Sequence, residues 1–121
     1  MSTELLTIIP VLPSSNINRD IGWYAEKVGF KEYFSDKRYA ILYRDNLSIH
    51  LQWHADTNDD PLLGGSVIRI FVRNIQNLFE ELLQRGTVNK GSFISNTPWQ
   101  TNEFGFFDLN NNAIFIVEDI K

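Results

Sequence analysis

Two kinds of hydrophobic periodicity follow one another along the chain, and they predict its first five elements. The apolar stretch LLTIIPVLP (5–13) predicts a strand, and the next segment has the 3.6-residue period of an amphipathic helix. Asn16 is a favourable cap for the start of this helix, and Gly29 suits its end because glycine tolerates the left-handed conformation found there. Three short strands follow, over KEYF, RYAILYR and LSIHLQW, with Asp45 and Asn46 as a turn between the last two.

The second half of the chain repeats this order. SVIRIFV (66–72) predicts a strand, and the helix after it has apolar residues at helical spacing and ends at Gly86. Further strands are predicted near GSFI, EFGFFD and NAIFIVE, with a turn at Asn110, Asn111 and Asn112. The sequence therefore predicts an α+β protein of two βαβββ modules, each of which forms a half-barrel sheet.

A polar and acidic segment, HADTNDDPLLGG (54–65), separates the two halves. We predict a single domain over residues 1–121, with module 1 at about 1–54, a linker at 55–65 and module 2 at about 66–121. The acidic residues of the linker, Asp56, Asp59 and Asp60, are either a solvated connection or a charge that speeds the arrival of a cationic ligand.

Composition narrows the classes of function. The 121 residues include no cysteine, which excludes disulfides, thiol catalysis and cysteine-bound metal. The net charge of −4 disfavours nucleic acid as a partner, since phosphates require clustered Lys and Arg. The apolar run from Leu5 to Leu12 is too short to span a bilayer and follows no basic segment, so a cytoplasmic protein without membrane contact is expected. Nine Phe, four Tyr and three Trp are many for this length, and they raise the question of a ligand pocket.

Short motifs at both ends of the chain carry a resemblance to a known family. Trp23-Tyr24 and Val28-Gly29-Phe30 lie in the first helix and directly after it, and the C-terminal stretch contains Pro98-Trp99, Glu103-Phe104 and Asp108. Together they resemble the glyoxalase / bleomycin resistance / extradiol dioxygenase superfamily, also called vicinal oxygen chelate proteins. The C-terminal motifs are similar to those of the bleomycin resistance branch, from which four residues depart: Gln100 (for Gly), Asn102 (for Arg), Leu109 (for Pro) and Asn111 (for Gly).

The enzymes of this superfamily bind a divalent metal through His or Glu on the first and last strands of each module. The resemblance places these positions at Ile9, His50, Val67 and Phe115. Three of the four are hydrocarbon side chains that cannot coordinate a metal, so we expect no metal and no other cofactor. His50 is then either a hydrogen-bonded structural imidazole or a contact to a ligand.

The sequence assigns no catalytic residue. Ser14 and Ser15 precede a helix and are interpreted as caps, and His54 has no nucleophile at a fixed spacing. Glu103 could act as a general base only in a dry pocket that raises its pKa; otherwise it makes structural hydrogen bonds. A binding protein is therefore favoured over an enzyme.

The resemblance implies what such a protein binds. Bleomycin resistance proteins sequester the antibiotic unmodified in crevices between two subunits, where aromatic side chains stack on its flat bithiazole. We therefore expect antibiotic resistance by a homodimer, with or without strand exchange between the chains, that binds a bleomycin-like, cationic and aromatic glycopeptide. The candidate ligand-binding residues are Phe34, Tyr39, His50, Trp53, Trp99 and Glu103.

Each of these assignments has a competing interpretation. Phe34 and Tyr39 match pocket aromatics of the branch, but an aromatic residue on a strand is also a common core residue, and the same holds for Trp53. Trp99 follows a proline in a turn and is interpreted as pocket wall, with a core position as the alternative. Tyr33 replaces an acidic residue of the branch. Two other functions remain open: a metal-independent lyase or isomerase on the same scaffold, and a binder of another aromatic metabolite.

Overall fold

A computed structural model describes residues 2–121 and shows a mixed α+β fold with two helices and two sheets. The first sheet has the strand order β1-β4-β3-β2 and the second has the order β5-β7-β6. Within residues 2–121, neither helix has the length and apolar content needed to cross a bilayer. The elements are β1 (Val11–Ser14), α1 (Ile17–Val28), β2 (Lys31–Ser35), β3 (Tyr39–Arg44), β4 (Leu47–Trp53), β5 (Val67–Phe71), α2 (Ile75–Gln84), β6 (Thr101–Phe107) and β7 (Ala113–Asp119).

The two halves of the chain share the parallel pairing of their first and last strands, as the predicted repeat requires, but the second half has no full strand that corresponds to β2. In each half the first strand runs parallel to the last: β1 pairs with β4, and β5 pairs with β7. The remaining neighbours are antiparallel, with β3 between β2 and β4 in the first sheet and β6 beside β7 in the second. A parallel pair needs a crossover connection, and the helix of each half lies within that crossover.

Helix α1 begins and ends as the sequence predicts, whereas α2 begins by a different means and ends at Gln84, two residues before Gly86. The Asn16 side chain accepts a hydrogen bond from the backbone N–H of Arg19 at 3.0 Å, and Gly29 ends α1 in the left-handed conformation with φ of 73°. Asn74 makes no such cap. Instead, the Glu118 carboxylate of β7 accepts hydrogen bonds from the backbone N–H groups of Asn74 (2.9 Å) and Ile75 (3.2 Å). The negative charge of this carboxylate also stabilises α2 by interacting with the positive end of the helix dipole.

One face of each sheet packs against the helices and forms the core. α1 contacts β2, β3 and β4, and α2 contacts β6 and β7. The largest fully buried apolar side chains of this core are Tyr24, Leu42, Leu51, Leu82, Phe104, Ile114 and Ile116. Because strand side chains alternate between faces, the opposite face of each sheet is left without a helix to cover it.

Two predicted strands differ from the structure. The first strand is β1, which begins only at Val11; residues 2–10 have no regular secondary structure, and Leu5 and Ile8 are 93% and 92% exposed. These apolar side chains have no surface of their own chain to cover them. At GSFI, residues Lys90–Ser92 form a 3-10 turn, which the Asn89 side chain caps, so only Ile94 makes a β-bridge, to Glu103.

A buried polar network joins α1 to the β6–β7 turn. The Tyr24 hydroxyl donates a hydrogen bond to Asp108 at 2.6 Å, and the Asn112 side chain donates to the same carboxylate at 2.8 Å and to the Pro13 carbonyl at 3.1 Å. Burial, together with the Asp108 charge, raises the pKa of Tyr24, so its hydroxyl stays protonated as a donor. Buried groups of this kind fix the two halves of the chain relative to each other.

Candidate functional site

Three of the predicted ligand-binding residues share the open face of the first sheet. Phe34 lies opposite Ile41 and Ile41 lies opposite His50, so these three side chains point away from α1. Tyr39 lies two positions before Ile41 on β3 and therefore shares this face. The Tyr39 hydroxyl oxygen is 2.7 Å from His50 Nδ1, and the two rings meet edge to face at 5.3 Å between centroids. We call this surface, formed by Phe34, Tyr39, Ile41 and His50, the first face.

A β-bulge at Tyr33 turns Phe34 onto the first face. Glu32 pairs with Leu42 and Phe34 with Ile41, so Tyr33 is an extra residue on β2. Without the bulge, strand alternation would place Phe34 opposite Ala40, which lies on the core side. The aromatic side chain at position 34 therefore owes its direction to this irregularity.

The structure does not bring Trp53 together with these residues. Trp53 lies three positions beyond His50 on β4, so its side chain points to the other face of the sheet and packs against the core. The Arg38 guanidinium carbon lies 5.5 Å from its ring centroid. Trp53 is thus half-buried between the core and a covering cation.

Trp99 and Glu103 meet on the open face of the second sheet. Trp99 is 62% exposed, and its indole N–H donates a hydrogen bond to the Glu103 carboxylate at 2.7 Å. The same carboxylate accepts from the Thr101 hydroxyl at 2.6 Å and from both terminal nitrogens of Arg69, at 2.9 and 3.3 Å. We call this surface the second face; it is formed by Val67, Arg69, Phe71, Trp99, Glu103, Phe107 and Phe115.

The environment of Glu103 disfavours the general-base role. Hydrogen bonds from Arg69, Thr101 and Trp99, with the nearby Arg69 charge, lower the pKa of Glu103 from its ordinary value of 4.5 to about 2. A carboxylate this acidic is a poor proton acceptor near neutral pH. Glu103 is also only 6% exposed, whereas Trp99 and Arg69 extend outward from it, so Glu103 anchors the surface that they form.

The lowered pKa predicts how stability responds to acid. The ionised form of Glu103 stabilises the folded state, so its contribution is fully present above pH 4.5 and is lost as the pH falls toward 2. Glu103→Gln removes this dependence. Melting temperatures measured between pH 2 and 7 should therefore differ most between wild type and variant above pH 4.5, and should converge in acid. A gap that stays constant down to pH 2 would contradict the assignment.

Phe115 lies flat over the backbone of the neighbouring strand because Gly105 has no side chain. A Cβ at position 105 would lie 2.7 Å from Cδ1 and 2.9 Å from Cε1 of Phe115, closer than atoms can pack. The Arg69 guanidinium carbon lies 5.8 Å from the Phe115 ring and 5.9 Å from the Phe71 ring. The second face thus contains a cation between two aromatic rings, at distances typical of cation–π contacts.

The first-strand residues paired with His50 and Phe115 lie two positions after Ile9 and Val67. His50 pairs with Val11 rather than Ile9, and Phe115 pairs with Arg69 rather than Val67. Valine, phenylalanine and a protonated arginine do not coordinate a divalent metal. Within residues 2–121, no three side chains of the His, Asp or Glu type cluster closely enough to hold a metal ion. The side chains present do not fit the metal of the superfamily's enzymes.

The two faces are open surfaces rather than enclosed pockets. Phe34, Val67, Phe71, Trp99 and Phe107 are all exposed. A cleft of about 400 Å³ lies elsewhere, on the helix side near Phe30, Leu47, Ile70 and Leu78. An open surface of this kind encloses a ligand only where a second wall is added.

The acidic linker has internal hydrogen bonds of its own. Asp60 accepts from the backbone N–H of Ala55 at 2.9 Å and lies 2.8 Å from His54 Nδ1, and these contacts lower the pKa of Asp60. Asp56 and Asp59 are exposed. Asp60 is thus part of a turn, which agrees with the interpretation of this segment as a connection.

Sequence reasoning missed Arg69, Phe71 and Phe115 as members of the second face. The pattern VIRIF carries the missing signal, because Val67, Arg69 and Phe71 alternate with two isoleucines of the core side. A charged residue between two exposed apolar residues on one face of a strand indicates a surface that contacts another molecule.

Comparisons with known proteins agree with this description. No family model matches the chain. A bleomycin resistance protein of Geobacillus stearothermophilus is 28% identical over 131 aligned positions, which cover 97% of this chain and 99% of that protein.

Two solved structures share the fold. A bleomycin resistance determinant encoded on the transposon Tn5 has a TM-score of 0.79 and 17% identity, over 95% of this chain and 98% of that one. A bleomycin-binding protein complexed with bleomycin has a TM-score of 0.77 and 17% identity, over 95% and 99%.

Proposed function

We propose that this protein of the glyoxalase / bleomycin resistance superfamily, similar in sequence to bleomycin resistance proteins, sequesters a bleomycin-like glycopeptide without modifying it. The observation that carries the proposal is the pair of open aromatic faces: Phe34 and Tyr39 on one sheet, Trp99 and Phe71 on the other. Exposed aromatic surfaces of this kind suit a flat conjugated ligand, since stacked rings gain about 0.5–1.5 kcal/mol beyond area burial.

A second copy of the chain supplies the missing wall of each site in this proposal. The first face of one subunit opposes the second face of its partner, so that a dimer has two equivalent crevices. The exposed apolar side chains of residues 2–10, together with those of the two faces, give such a dimer more apolar surface to bury than one chain can cover.

The dimer is directly testable by mass. At micromolar concentration, light scattering should report twice the 14.0 kDa of a single chain. Removal of residues 2–8, with their exposed Leu5, Leu6 and Ile8, should shift the mass toward the monomer at the same concentration. A wild-type mass near that of one chain across the micromolar range would contradict the shared crevice.

One observation favours an enzyme as the second candidate. The Tyr39–His50 pair on the first face places a phenol and an imidazole in hydrogen-bond contact, an arrangement that could relay a proton to a bound molecule. The test is the fate of the drug: bleomycin incubated with excess protein and then released by denaturation should have an unchanged mass and regain its DNA-cleaving activity. A time-dependent change in mass, or in chromatographic retention at constant mass, that is absent with His50→Gln would establish a lyase or an isomerase, respectively.

A further inference from the structure

We propose that Arg69 is itself a ligand contact, which stacks on the planar conjugated part of the ligand and donates a hydrogen bond to a carbonyl oxygen carried by that part. This inference rests on the proposed function and specifies the chemistry of the second face. It also gives Glu103 a different role from the one that the sequence predicted: Glu103 is a positioning residue beneath the contact surface.

The geometry of Arg69 supports a contact role. Its side chain is 40% exposed, although two aromatic rings lie within 6 Å of the guanidinium carbon and a carboxylate binds its terminal nitrogens. A surface arginine without contacts to its guanidinium is usually mobile, whereas the Arg69 guanidinium contacts Glu103, Phe71 and Phe115. Because the Arg69 side chain is already ordered, less conformational entropy is lost when a ligand binds.

The chemistry of the guanidinium determines what it can bind. Within residues 2–121, Glu103 is the acceptor for Arg69, through Nη1 and Nη2, which leaves the other N–H groups for a ligand oxygen. The guanidinium is planar and stacks on conjugated rings, as the ammonium of lysine does not. Since the Glu103 charge balances that of Arg69, a ligand that carries a positive tail is not repelled.

Glu103 acts through its neighbours in this account. It accepts hydrogen bonds from Arg69 and from the Trp99 indole, and thereby holds two exposed planar groups in a fixed relation. Glu103 is too buried for a bulky ligand to touch. Its effect on binding should therefore depend on whether these two groups keep their positions.

The experiment compares Arg69→Lys with Arg73→Lys. Both changes retain the positive charge, and Arg73 is exposed just beyond β5, where its side chain makes no hydrogen bond or ion pair with residues 2–121. Calorimetric titration uses two probes, metal-free bleomycin and a bithiazole carboxamide fragment without a cationic tail. Arg69→Lys should raise the Kd for both probes at least about fivefold, while Arg73→Lys stays within about twofold of wild type.

The positioning role of Glu103 is tested by the affinity for both probes together with the fluorescence emission of Trp99. Glu103→Gln should raise the Kd for both probes, and should also shift the emission of Trp99, taken as the difference between each protein and its Trp99→Phe counterpart. Glu103→Asp, which keeps the charge, should recover part of the affinity. An unchanged Trp99 emission together with an unchanged Kd would overturn the positioning role.

Chemical protection of the wild-type protein decides the contact role even where a variant fails to fold. Phenylglyoxal modifies accessible arginines, and bound bleomycin should slow modification of Arg69, but not of Arg73, in peptide mass spectra. An Arg69→Lys variant that is folded and binds both probes like wild type, or an Arg69 that the drug does not protect, would overturn the inference while the proposed function stands. A wild-type protein that binds neither probe would instead refute the proposed function.

Discussion

Replacing Asp108 with alanine is expected to lower the free energy of unfolding by about 3–5 kcal/mol, a large fraction of the stability of a domain of this size. Asp108 is buried and accepts hydrogen bonds from the Tyr24 hydroxyl, from the Asn112 side chain at 2.8 Å, and from the backbone N–H groups of Asn110 (2.8 Å) and Asn112 (3.0 Å). Without the carboxylate, these buried donors lose their acceptor, and each unsatisfied donor costs about 1–3 kcal/mol.

Urea unfolding measures this effect, and two further variants define its origin. Asp59→Ala changes an exposed aspartate that makes no side-chain hydrogen bond within residues 2–121, and it should leave stability within about 0.5 kcal/mol of wild type. Tyr24→Phe removes one donor and should lower the free energy of unfolding by about 1–2 kcal/mol, between the effects of Asp59→Ala and Asp108→Ala. An Asp108→Ala protein as stable as the Asp59→Ala protein would show that the network does not join the two halves of the chain.

Replacing Trp99 with alanine is expected to weaken bleomycin binding by about 1–3 kcal/mol, roughly 5- to 150-fold, with little change in melting temperature. The side chain is more than half exposed, so its removal opens no core cavity, and the change acts through lost stacking and lost buried area. If Trp99 were core, the same change would cost about 3–5 kcal/mol of stability. Affinity by calorimetry and melting temperature by circular dichroism separate the two outcomes.

Trp53→Ala is the matched control. Trp53 packs against the core on the face of β4 that is opposite His50, so its removal should lower the melting temperature while the folded protein keeps its affinity. The two tryptophans should therefore show opposite patterns. A strongly destabilised Trp99→Ala protein with wild-type affinity would remove Trp99 from the site.

The elements that face the helices could be predicted from the sequence because their pattern is dictated by burial. The two helices and most of the strands lie where the apolar periodicity places them, and the turns at Asp45 and Asn111 adopt left-handed backbone conformations that Asp and Asn tolerate. The choice of Phe34 and Tyr39 over other aromatics came from the resemblance to a family. Strand alternation alone would have sent Phe34 to the core side, because the bulge at Tyr33 has no sequence signature.

The features that could not be predicted depend on register and on long-range contacts. The pairing of His50 with Val11 and of Phe115 with Arg69 could not be predicted, because a short apolar segment does not show where its pairing begins. The role of Glu103 also depended on tertiary structure. Arg69 lies 34 positions away in the sequence, and only the fold brings it against the carboxylate. Leu5, Leu6 and Ile8 belong to the predicted first strand, but no other part of residues 2–121 covers them.

Calorimetric titration of the metal-depleted protein with metal-free bleomycin tests most directly whether the two aromatic faces bind the drug without metal and without modifying it. We expect a saturable isotherm with one drug molecule per chain, a Kd at or below about 1 μM, corresponding to about 8 kcal/mol, and full recovery of intact drug from the complex. Absence of binding by the metal-depleted protein, with binding restored by a stoichiometric divalent metal, would contradict this expectation.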